Sequence, residues 1–137
     1  MATTVTTSND VTRIFQDVET LAAAQTLIAA DSGKTFILSA AAGATITLPA
    51  LKSGLNFKFI VGAAFATTNW VVASAEAAKI QGVLVVNGAS VDAADEDQIN
   101  FVNSAETVGD HIELICDGTY WYASGVGSQA GSITATT

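Results

Sequence analysis

Cysteine, histidine, proline and methionine each occur once in this chain, as Cys116, His111, Pro49 and Met1. One thiol cannot close an internal disulfide, and no cluster of His and Cys is available to hold zinc or an iron–sulfur centre. The expectation is a fold with no cofactor, no metal and no covalent staple. Basic residues are also scarce, five against thirteen acids in 137 residues. No stretch approaches the ~18 consecutive apolar residues of a membrane helix, and the Thr-rich start lacks the basic segment and apolar run of a signal peptide. These absences read as a soluble protein made in a cytoplasm, with no membrane partner.

Charge is unevenly divided. Arg13, Lys34, Lys52, Lys58 and Lys79 balance five acids in residues 1–79, whereas residues 80–137 hold eight acids and no base, so the whole formal charge of −8 lies there. A field of that sign repels phosphate, which argues against nucleic acid as a partner. It also keeps in solution a chain that is 50% hydrophobic and whose core must be built largely from small side chains.

The length fits one domain. From Thr26 onward, short runs of β-branched and aromatic residues alternate with Gly, Asn and Asp, the pattern of an all-β domain. The runs are Thr26–Ala29, Thr35–Ser39, Thr45–Leu48, Asn56–Val61, Trp70–Ala73, Val83–Val86, Ala89–Val91, Gln98–Val102, His111–Cys116 and Thr119–Ala123. They predict an antiparallel β-sandwich or a jelly-roll-like barrel. Asn87-Gly88 and Asp117-Gly118 each suit a two-residue type I′ hairpin turn, in which both central residues take positive φ. In the second hairpin Cys116 would then oppose Thr119, Leu114 would face Trp121, and Ile112 would face Ala123. Ile112, Leu114, Cys116 and Trp121 form its core side. The other side carries His111, Glu113, Ile115, Tyr120 and Tyr122, a candidate trimer or partner face. Asp17–Ile28 stays open between a short Ala-rich helix and strand–turn–strand.

The two ends differ from the middle. Residues 1–12 and 125–137 consist mainly of Thr, Ser, Gly and Ala, too little apolar surface to offset their own ordering entropy. The chain therefore divides into an N-terminal arm (1–15), a β-domain (16–125) and a flexible C-terminal tail (126–137). An arm of this kind can add a strand to a neighbour's sheet edge.

Catalytic patterns are weak, and the expectation is that the protein is not an enzyme. His111 and Cys116 lie five apart on one strand, so they point to opposite faces and form no dyad. Asp92, Asp95, Glu96 and Asp97 lack the alternating ligands and central Gly of a calcium loop and read as a solvated acidic turn. The glycines from Gly125 to Gly131 have the wrong spacing for a nucleotide loop, and Lys34 follows an ordinary turn, Asp31-Ser32-Gly33.

Four segments carry a resemblance. They are Ala30-Asp31-Ser32-Gly33-Lys34-Thr35-Phe36, Thr47-Leu48-Pro49, Gly54-Leu55-Asn56-Phe57-Lys58-Phe59, and Leu114 through Asp117-Gly118-Thr119-Tyr120-Trp121-Tyr122 to Ser124-Gly125. Together, across residues 26–125, they resemble small virion structural proteins of tailed bacteriophages, particularly marine and cyanobacterial ones. The last segment also resembles parts of phage tail and fibre proteins. The resemblance implies a head decoration (cement) protein on the outer capsid surface, bound to the major capsid protein as a homotrimer at three-fold positions. In that setting residues 1–15, with Val11, Arg13, Ile14 and Phe15, would form the capsid-contact arm. The alternative it leaves open is a tail- or fibre-associated or glycan-binding adhesin module, with Trp70, Tyr120 or Tyr122 stacking on sugars.

Overall fold

The computed structural model describes the backbone of residues 3–8 and 11–137, with side chains from Phe15 onward. The chain opens with two strands, β1 (Thr3–Ser8) and β2 (Val11–Gln16), followed by β3 (Val18–Leu21), β4 (Gln25–Thr26), β5 (Thr35–Leu38), β6 (Thr45–Thr47), β7 (Asn56–Val61) and β8 (Trp70–Ala73). Then come β9 (Ile80–Val86), β10 (Ala89–Glu96), β11 (Gln98–Phe101), β12 (His111–Cys116), β13 (Trp121–Gly127) and β14 (Ile133–Thr136). The fold is an all-β sandwich. Seven strands, in the order β10-β9-β13-β12-β7-β5-β3, pack against five, β14-β11-β8-β6-β4. Among the described residues no helix is long and apolar enough to cross a membrane.

The sheets are mixed, where the hairpin signals in the sequence led to an antiparallel expectation. From β3 to β8 the chain alternates between the two sheets, so β3, β5 and β7 stack in parallel on one side and β4, β6 and β8 on the other. Parallel neighbours need a crossover connection. Here each crossover is a strand of the opposite sheet, which gives three coils of a flattened solenoid. The Asp17–Ile28 segment is its first coil, β3 and β4, with Leu21 and Leu27 buried. The hairpin β12–β13 then inserts between β7 and β9, antiparallel to β7 through β12 and parallel to β9 through β13.

Alternation decides which side chains meet between the sheets. On β7, Phe57, Phe59 and Val61 point inward; on β12, Ile112, Leu114 and Cys116 do the same. The Phe36 and Phe59 rings stack 5.5 Å apart, and Phe57 lies 5.8 Å from Trp121. Trp70, Val72, Ile99, Phe101 and Ile133 close the core from the other sheet. The predicted runs Asn56–Val61, Trp70–Ala73 and His111–Cys116 coincide with β7, β8 and β12.

Of the two hairpin turns, Asn87-Gly88 is the expected type: φ is 50° and 77°, and Val86 pairs with Ala89. The second differs. Asp117 Oδ1 accepts the N–H groups of Thr119 (2.7 Å) and Tyr120 (2.9 Å), so the turn holds four residues, Asp117 to Tyr120, and Cys116 pairs with Trp121. The side chain of an aspartate competes for the backbone donors a tighter turn would have used. Because the register moves by two residues, the strand residues keep their expected faces, while Tyr120 leaves the strand for the turn.

The C-terminal segment is also different from the flexible tail expected of its composition. Residues 133–136 form β14 and pair with β11, Ser132 and Ile133 are buried, and Asn100 Nδ2 donates to Thr134 Oγ1 (3.3 Å) and Thr136 Oγ1 (3.0 Å). Threonine-rich sequence gains its order here from a ladder, an amide contact and the single buried side chain of Ile133.

Candidate functional site

The strand pattern that fills the core also leaves a second surface. On the outer face of the seven-stranded sheet, cross-strand register sets Val85, Val126, His111, Ile60 and Ile37 side by side in one row. The next row reads Val83, Ser124, Glu113, Lys58 and Thr35, and a third holds Gln81, Tyr122, Ile115 and Asn56. Six of the nine exposed large hydrophobics among the described residues lie here: Val18, Val83, Val85, Ile115, Tyr122 and Val126, with 44% to 56% of their surface open. Solvated sheet faces are usually polar. Exposed apolar side chains grouped on such a face make it a candidate interaction surface.

The centre of the face is electrically balanced. Lys58 Nζ lies 3.1 Å from Glu113 Oε1 across the β7–β12 pair. Asp92 and Asp95 stand along the β10 rim, where Asp95 Oδ1 accepts from Gln81 Nε2 at 2.5 Å. Towards β5 the face dips into a shallow groove of about 430 Å³, bordered by Gln16, Lys34, Asn56, Lys58 and Tyr122. Gln16 is tied there by a hydrogen bond from its side chain to the Gly33 carbonyl. Lys34 is committed to Asp31 (2.8 Å) and Glu19 (3.1 Å). Its ammonium is pushed above the usual lysine range by Asp31 first and Glu19 second. For Asp31, burial acts upward, yet Lys34 and the Ile28 N–H outweigh it and hold the carboxyl below its ordinary value.

At the lower margin of the face the Asp117 turn orients an aromatic pair. The N–H groups of Tyr120 and Thr119 hold the Asp117 carboxyl below the usual range, and Asp117 Oδ2 accepts the Tyr122 hydroxyl at 3.2 Å, which raises the phenol. The Tyr120 ring lies 6.4 Å from that of Tyr122, with Lys79 Nζ 5.2 Å from the Tyr120 centroid. A lowered carboxyl contributes stability above its unfolded pKa and loses it as pH falls through the folded value; a raised phenol contributes below its unfolded pKa and loses it on the alkaline side. The turn is therefore expected to be fully formed between about pH 4 and pH 10, the ordinary values of the two groups. Asp117→Asn should lower the melting temperature at neutral pH, and its curve should rejoin that of the wild type as acid protonates Asp117. A constant gap down to the most acidic point would contradict this role.

The residues singled out from sequence are placed as follows. His111, Glu113, Ile115 and Tyr122 share the outer sheet face, and Tyr120 sits half-buried in the adjoining turn. The side chains of Val11, Arg13 and Ile14 lie outside the described residues; Phe15 is exposed. The backbones of β1 and β2 pair with each other, Thr3 with Gln16 through Ser8 with Val11, in a sheet separate from the sandwich. Trp70 has no exposed surface and cannot stack on a sugar. His111 and Cys116 point to opposite faces, and among the described residues no three His, Cys, Asp or Glu side chains converge as a metal site. Val83, Val85 and Val126 were missed as face residues. For Val83 and Val85 the signal was the unbroken apolar run Val83–Val86, which cannot alternate with polar residues and so makes both sides of β9 apolar; Val126, between two glycines, had none.

No family model, curated protein or solved structure matches the chain.

Proposed function

We propose that this chain is a virion structural protein, a capsid decoration (cement) protein. In this reading it binds the outer surface of an assembled phage capsid as a homotrimer, at three-fold or quasi-three-fold positions, and stabilises the shell without catalysing a reaction. The observation that carries the reading is the separation of the chain into a packed sandwich and an N-terminal ribbon that pairs with neither of its sheets. A two-stranded ribbon is marginal in water alone and becomes ordered by lying against another surface. The segments between Ala30 and Gly125 that resemble phage virion proteins support the major capsid protein as that surface.

A decoration protein must find its place only once the shell exists, so its attachment surface should be composite and contributed by neighbouring capsid subunits. Three arms on one trimer would engage such a site together and raise apparent affinity by ~10²–10⁴ over one arm. The surface pair Tyr120–Tyr122 favours a second reading, a tail- or fibre-associated glycan-binding module, because Tyr122 presents an open ring held in place by Asp117. Removing residues 1–15 separates the two. The expected outcome is a folded sandwich that no longer occupies phage heads; full occupancy without the arm would remove the proposed attachment mechanism.

A further inference from the structure

We infer that the outer face of the seven-stranded sheet is where copies of this chain meet: Val83, Val85 and Val126 of one protomer pack on the same sheet face of its partner, around the Lys58–Glu113 pair. The homotrimer proposed above sets only the expected stoichiometry; the choice of face rests on three observations of its own.

The first is charge. Two chains of net charge −8 repel through most orientations, and the half that carries this charge supplies β9, β10, β12 and β13 to the same sheet. Yet the middle of this face holds one cation and one anion that neutralise each other, with Asp92 and Asp95 kept to the rim. A strongly acidic protein can bring this face against another copy without concentrating like charge. A basic foreign partner would find better complementarity on the acidic rim.

The second is self-complementarity. Lys58 and Glu113 are direct cross-strand neighbours. Around a three-fold axis each protomer's Lys58 can lie beside the next protomer's Glu113, so the ring closes with no charge left unpaired. The row of Val85, Val126, Ile60 and Ile37 on one side then meets apolar surface, with Ile115 and Tyr122 on the other. The third is size. Without the acidic β10 rim, five inter-strand spacings of ~4.8 Å and strands of about six residues at ~3.3 Å make a plate of roughly 500 Å² in projection. With side-chain relief this reaches the ~600 Å² per partner at the small end of specific interfaces.

Sedimentation velocity on the full chain, at micromolar concentration, tests the inference. The wild type should sediment as an oligomer, at three times 13.9 kDa for the proposed trimer. Val85→Lys with Val126→Lys should weaken association roughly 100-fold, because both sites would bury a charge at the contact. Circular dichroism of the same samples reports whether the sandwich remains folded. A charge series guards against a variant that fails to fold: Glu113→Lys alone should dissociate the oligomer, and Glu113→Lys combined with Lys58→Glu should restore it. A monomeric wild type, or an oligomer indifferent to both the double-lysine and the Glu113→Lys changes, would overturn the inference. Loss of head binding by a protein that still self-associates would count against the capsid reading alone, so the two failures are distinguishable.

Discussion

Gly82→Val is expected to leave no stable folded protein. Gly82 lies on β9 opposite Ala123 of β13, in the parallel pair that joins the inserted hairpin to the rest of the sheet. Its φ is 147°, and a Cβ built there would sit 2.0 Å from the Ala123 carbonyl oxygen. That oxygen is backbone, so no rotamer change relieves the clash; β9 and β13 would have to separate. The cost should exceed ~4 kcal/mol, a large share of the ~5–15 kcal/mol that holds a typical domain together. Gly88→Ala is the control. Gly88 also has positive φ, 77°, but nothing lies within 4 Å of the added carbon, so the expected loss is about 1 kcal/mol. Urea unfolding of both variants checks the pair, and a Gly82→Val protein as stable as Gly88→Ala would show that the β9–β13 contact is looser than described.

The next largest effect is expected at the C-terminus. Deleting residues 128–137 removes β14 from the five-stranded sheet, together with the fully buried Ile133 side chain and the two threonine hydroxyls that accept from Asn100. It also removes the Ser128 N–H from Asp110 Oδ1, where it is held at 2.9 Å. Asp110 is buried, and its other oxygen accepts the Thr107 N–H at 2.9 Å, so the truncation leaves half of a buried carboxylate without a protein partner. Burying one isoleucine is worth ~1.5–3 kcal/mol, and an orphaned buried acceptor costs about 1–3 more. The combined loss should be roughly 2.5–6 kcal/mol and visible as a much lower urea midpoint. Removing residues 1–15 from the other end should leave that midpoint nearly unchanged, since β1 and β2 pair with neither sandwich sheet. Equal sensitivity of the two ends would contradict the division into sandwich and arm.

The contrast between the ends shows where the sequence was readable. His111–Cys116 declared both its extent and its buried face, because period-two patterning is fixed by which side meets the core, and Asn56–Val61 declared its extent. Asn87-Gly88 declared its turn, because positive φ at two successive residues suits few pairs. Parallel stacking of β3, β5 and β7 left no local mark: it depends on crossovers through the opposite sheet, and each partner lies well outside any window in which periodicity is visible. The β14 strand was hidden for a different reason. Ser132 to Thr136 has one large apolar residue, Ile133, and its order comes from pairing with β11 and Asn100, thirty-odd positions earlier in the chain.

The face was half legible for similar reasons. His111, Glu113, Ile115 and Tyr122 were identified together because they alternate with core residues on one hairpin. Val83 and Val85 join them only through the parallel β9–β13 register, a long-range pairing that composition does not encode. The Lys58–Glu113 ion pair likewise requires β7 beside β12. Arm and face thus have separate proposed duties, one towards the shell and one towards other copies, and both are needed for a trimeric cement.

The most direct test is to mix the purified protein with phage heads that lack it and to image the particles by electron cryomicroscopy. The expected result is density for three copies at local three-fold positions on the outer capsid surface, with the N-terminal ribbon reaching into the junction between capsid subunits. Bare heads, or density confined to the tail, would contradict the decoration reading and turn attention to the Tyr120–Tyr122 surface as a receptor contact.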